Sequence, residues 1–94
     1  MIVKITMKVL VSEIIKNFDK YKGRLVKGFP GVEDDIFQLL DWEYDSYVSL
    51  CLKVKVIDSK YGIRRGVITY RYAECHNYLE LIPKLKEIIL TKGE

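Results

Sequence analysis

Residues 47–57 read YVSLCLKVKVI, with Val48, Leu50, Leu52, Val54 and Val56 alternating with Tyr47, Ser49, Cys51, Lys53 and Lys55. Successive strand side chains point to opposite faces, so a period of two predicts a strand with one buried and one outward face. A helix would need its apolar residues three and four apart. An isolated strand or hairpin is at best marginal in water, so this one requires a larger sheet.

Toward the C-terminus, DSKYG (58–62) reads as a turn and IRRGVITYRY (63–72) as the next strand, with Val67, Ile68, Thr69, Tyr70 and Tyr72 favouring extended backbone. AECHN (73–77) turns the chain and NYLELI (77–82) is a further strand. PKLKEIIL (83–90) opens with Pro83, suited to a first helical position, and Leu85, Ile88 and Ile89 give it an apolar face. TKGE (91–94) is a frayed tail.

Toward the N-terminus, EYDS (43–46) is a turn and DIFQLLDW (35–42) a strand. RLVKGFPGVED (24–34) is a strand that bends or ends at Gly28, Pro30 and Gly31. SEIIKNFDKYKG (12–23) changes period: Ser12 is placed to cap a short helix, Ile14, Ile15, Phe18 and Tyr21 share a face, and Gly23 ends it. MIVKITMKVLV (1–11) alternates again, as a leading strand or arm over 1–10; Met7 would serve as a start as well as Met1. The result is a mainly β chain with five short strands between a short N-terminal helix and a C-terminal helix. A small five-stranded barrel is the natural closure, because it removes exposed strand edges.

With 94 residues, 49% hydrophobic and 31% charged, residues 1–94 form one domain with a modest core. No apolar run reaches the roughly 20 residues of a membrane span. Lys4 and Lys8 interrupt the N-terminal apolar stretch, so no secretory signal is read there and a cytoplasmic location is expected. Cys51 and Cys75 make no disulfide scaffold; both a single bond between them and plain packing remain open.

The net charge of +3 hides a pattern: +5 over residues 1–28, −6 over 29–50, +5 over 51–73 and −1 over 74–94. Opposite blocks either neutralise each other in space or form a basic face beside an acidic one.

The order of elements resembles the OB-fold, in particular the small bacterial and archaeal domains of the tRNA-anti type. Carrying the likeness are VSEIIKNFDKYKGRLVKGFPGV with its Tyr21-Lys22-Gly23 step, IFQLLD ending in Asp41, GVITYRY, and NYLELI with its Tyr-Leu-Glu. It covers roughly residues 11–90 and implies an OB-like barrel there, with a ligand surface on its second and third strands. Such folds bind single-stranded nucleic acid or oligosaccharide, or dock proteins, and the fold alone does not choose.

For single-stranded nucleic acid, the physics requires cations for phosphates and exposed rings for bases. Lys27, Lys53 and Lys55 are the expected phosphate contacts, Phe37 and Tyr47 the stacking rings, and Arg64, Arg65 and Arg71 an extension of the track. Phe29, Trp42, Tyr44 and Tyr70 are further ring candidates. The alternative is a protein adaptor or assembly subunit, docking through the acidic aromatic segment 29–47 with Phe29, Trp42 and Tyr44 as anchors. The N-terminal arm would then add to a partner's sheet, or pair with a second copy as a homodimer.

Catalysis is not expected. Cys75 and His76 are adjacent, so in extended backbone their side chains point apart. Two Cys and one His without a CxxC fall short of a zinc site, and Glu33, Asp34 and Asp35 read as a solvated turn. Gly23, Gly28 and Gly31 match no phosphate loop, and no cofactor or metal is anticipated.

Overall fold

The computed structural model describes residues 7–45, 49–60 and 64–83. The elements run β1 (Met7–Leu10), α1 (Val11–Lys16), α2 (Phe18–Tyr21), β2 (Leu25–Lys27), β3 (Ile36–Asp45), β4 (Ser49–Asp58), β5 (Ile68–Ala73) and β6 (Tyr78–Leu81). All six strands join one antiparallel sheet in the order β1-β6-β2-β3-β4-β5. Residues 1–6 of the leading strand, Tyr47, and all but Pro83 of the C-terminal helix expected over 83–90 lie outside the described residues.

The chain is mainly β, as its alternation predicts, but the described sheet is not closed: β1 and β5 are its edges and do not pair with each other. It must nevertheless curl. In the sheet order β5 and β6 are separated by three strands, roughly 19 Å if flat at about 4.8 Å per step. The chain joins them through residues 74–77, folded into a turn by the Asn77 N–H donating to Glu74 C=O at 2.9 Å. Such a turn spans less than about 7 Å between its first and fourth Cα atoms, so β5 and β6 are drawn together.

The inner face carries the main core. Leu50, Leu52, Val54 and Val56 of β4 are buried there with Val26, Phe37, Leu39, Leu79 and Leu81. Val11, Ile14, Phe18 and Tyr21 of the two helices join the same cluster. A smaller cluster of Leu25, Ile36, Ile57 and Ile82 forms separately.

The helical segment differs from expectation. It breaks at Asn17, whose amide donates to the Glu13 carboxylate at 2.7 Å. Ser12 lies inside α1 instead of capping it. The first helical N–H groups are satisfied by the turn after β5: Val11 N donates to Asn77 C=O at 2.8 Å and Ser12 N to Cys75 C=O at 3.1 Å. The helix end is thus capped from a distant part of the chain, and no side-chain cap is needed. Gly23 ends the segment at φ +86°, with its N–H donating to Leu39 C=O at 2.8 Å.

Two irregularities set which way the long β3–β4 pair faces. Leu39 pairs with Val54 and Asp41 with Lys53, leaving Leu40 as an extra residue. The alternation from Phe37 through Leu39 would have sent Asp41 inward; the bulge reverses the phase, so that Trp42 packs against the core and Asp41 is exposed. Ile36 pairs with Asp58 and Phe37 with Val56, and the extra Ile57 joins the smaller cluster.

Candidate functional site

Strand β5 is an edge strand on which Ile68, Tyr70 and Tyr72 are 54%, 51% and 58% exposed. They alternate with Thr69, Arg71 and Ala73, which are less exposed and in register with the buried Val54, Leu52 and Leu50. The three exposed residues therefore share the outer face, opposite Lys55, Lys53 and Cys51 of β4. The outer faces of β4 and β5 together form a row of half-buried lysines beside a row of exposed apolar and aromatic side chains.

A bulge fixes this phase. Val56 N donates to Val67 C=O at 2.9 Å, and Gly66 N donates to Val56 C=O at 2.7 Å. Two residues thus oppose one, with Gly66 at φ +84°, the left-handed conformation that the first position of a glycine-type bulge takes. The pairs Lys55 with Ile68 and Lys53 with Tyr70 follow directly.

On its other flank β4 faces β3. Gln38 stands opposite Lys55, Asp41 opposite Lys53 and Glu43 opposite Cys51. Lys53 is therefore bordered by the Asp41 carboxylate on one side and the Tyr70 ring on the other, while Lys55 stands between Gln38 and Ile68. A negatively charged ligand would be turned away from β3 and toward β5.

The predicted residues do not form one track. Lys53 and Lys55 come together as expected. Lys27 lies on β2, paired with Glu80 at 3.7 Å, so its charge is already partnered. Phe37 is fully buried and cannot stack on a base: it meets Phe29 edge to face at 5.4 Å between centroids. Phe29 is equally buried and cannot anchor a partner. In a chain of 94 residues with a modest core, such rings are its largest space-fillers.

Arg71 is placed by alternation on the inner side of β5, its guanidinium carbon 5.3 Å from the centre of the Phe37 ring. It covers the core instead of extending a cationic face. Arg64 and Arg65 are exposed in the turn leading to Gly66. Trp42 packs partly against the core and meets Tyr44 edge to face at 5.4 Å, while Tyr44 is largely exposed at the far end of β3.

Asp35, taken in the sequence as part of a solvated turn, is completely buried. Its carboxylate accepts from Ser59 Oγ at 2.7 Å and from Lys60 N at 3.0 Å, tying the segment before β3 to the end of β4. Asp34 is exposed and pairs with Lys60 at 3.6 Å. Cys51 is buried and Cys75 exposed, both as free thiols, so no disulfide joins them. Among the described residues no three His, Cys, Asp or Glu side chains gather as a metal site would need, and no helix is long and apolar enough to cross a membrane.

Tyr72 escaped the sequence reading, and Tyr70 was one ring candidate among several. Every residue of ITYRYA tolerates extended backbone, which obscured the alternation of Ile68, Tyr70 and Tyr72 against Thr69, Arg71 and Ala73. That period of two was the available signal. No protein-family model, curated protein or solved structure matches this chain.

Proposed function

We propose that the outer face of β4 and β5 binds single-stranded nucleic acid without catalysing a reaction. The observation that carries this function is the register of Tyr70 with Lys53, with Tyr72 and Lys55 on the same face. Exposed rings supply stacking platforms of about 1–3 kcal/mol per base, and adjacent ammonium groups neutralise phosphates. Arg64 and Arg65 would extend the cationic end of the site; Lys27, Phe37 and Arg71 have no part in it.

The test is fluorescence anisotropy with a labelled oligothymidylate of about ten nucleotides, within the usual footprint of a small binding domain. The parent should bind at low salt and weaken steeply toward roughly 200 mM salt. A Lys53→Glu, Lys55→Glu double variant should lose binding. Equal binding by that variant would overturn the assignment.

A second function is favoured by a different observation. Tyr44, 59% exposed and braced by Trp42, lies at the far end of β3, next in the chain to Glu43, whose side chain takes the other face with Asp41. This acidic aromatic end of β3 would suit docking of a basic protein segment. Tyr44→Ala would then abolish partner capture and leave oligonucleotide binding intact.

A further inference from the structure

Resting on nucleic-acid binding at this face, we infer that Tyr70 and Tyr72 take consecutive bases of an unstacked strand, so the site prefers weakly stacking pyrimidine tracts to adenine tracts of equal charge. Same-face neighbours on a strand are two residues apart, about 6.8 Å at the antiparallel rise. Stacked nucleotides advance about 3.4 Å along their helix. One base on each ring therefore requires a strand opened to about twice its stacked spacing.

Lys53 and Lys55 are also two residues apart on the same face of β4, so the cations repeat at the spacing of the rings but one pair along: Lys53 stands opposite Tyr70, Lys55 opposite Ile68 and Cys51 opposite Tyr72. A strand running along β5 can present one phosphate and one base per repeat. Asp41 and Glu43 on β3 oppose its displacement across the sheet, because they would face the phosphates. Thr69 and Arg71 lie on the inner side and add nothing to the path.

The preference follows from the work of unstacking. Adenine tracts stack strongly on themselves and must surrender that stacking to fit; thymine or uracil tracts have less to lose. Base preferences of this kind arise from stacking strength and backbone flexibility, without base-edge hydrogen bonds.

The experiment compares oligothymidylate and oligoadenylate of about ten nucleotides, one length and one salt concentration, on the parent and on Tyr70→Ala, Tyr72→Ala and Tyr70→Phe. The parent should bind the thymine tract at least about threefold tighter. Each alanine variant should lose about tenfold on the thymine tract, and Tyr70→Phe, which keeps the ring, should bind as the parent does. Equal or tighter binding of the adenine tract overturns the inference. So does undiminished binding by both alanine variants, and if the lysine double variant still fails to bind, nucleic-acid binding itself survives. Failure of the parent to bind either tract overturns both.

Discussion

Tyr70 stands directly opposite Lys53 in the β4–β5 ladder, ring and ammonium stem rising from the same face of the sheet. Asp41 flanks Lys53 from the other side, on β3. Lys53 thus marks the boundary between the acidic and the aromatic part of the face. If it meets a phosphate, Lys53→Ala should weaken binding to every base sequence alike. The slope of log affinity against log salt should fall by about 0.7, the share of one single-strand contact. Titrations at several salt concentrations measure it, and an unchanged slope would remove Lys53 from the interface.

Arg71 lies over the Phe37 ring on the opposite face, and its buried Nε meets no hydrogen-bond partner among the described residues. Its contribution is therefore to stability. Arg71→Ala should cost about 0.5–2 kcal/mol in urea unfolding, the range of a partly desolvated cation–π contact. Oligonucleotide affinity at fixed salt should not change. A tenfold loss of affinity with unchanged stability would place Arg71 on the ligand instead.

Asp35 is a buried latch with two donors aimed at it. Asp35→Ala leaves Ser59 Oγ and Lys60 N without their acceptor, and should cost about 1–3 kcal/mol. Hydrogen exchange at the Lys60 amide should accelerate, while Asp35→Asn, which keeps one acceptor, should lose less. Unaltered Lys60 exchange in the alanine variant would show that the latch does not hold the end of β4.

Gly66 pins the register that places Tyr70 beside Lys53. A Cβ there meets no atom within 4 Å, so a substitution is strained by its φ of +84° alone. Gly66→Ala should cost about 1–2 kcal/mol, and Gly66→Asn less, because asparagine tolerates the left-handed region better. Thermal melts of the two variants test this. A neutral alanine substitution would mean that the bulge relaxes and the ladder shifts.

Much of the sheet was legible in particular residues. The alternation of Leu50, Leu52, Val54 and Val56 fixed both the strand and its buried face, and all four are core. Alternation assumes an unbroken pleat, however, and so could not reveal the extra Leu40 or Ile57. Asp35 looked like a solvated carboxylate because its donors are 24 and 25 residues away. The cap of α1 was hidden for the same reason: Cys75 and Asn77 supply it from the far end of the chain. At the site, residue type suggested cations and rings, but only the pairing of strands separates Lys53 from the committed Lys27 and the exposed Tyr70 from the buried Phe37.

The most direct test of the binding face is an amide chemical-shift titration of the labelled protein with oligothymidylate. The account predicts a contiguous footprint on Lys53, Lys55, Ile68, Tyr70 and Tyr72, with Lys27, Phe29 and Tyr44 undisturbed. A footprint centred on Tyr44, or no saturable shift at low salt, would contradict it.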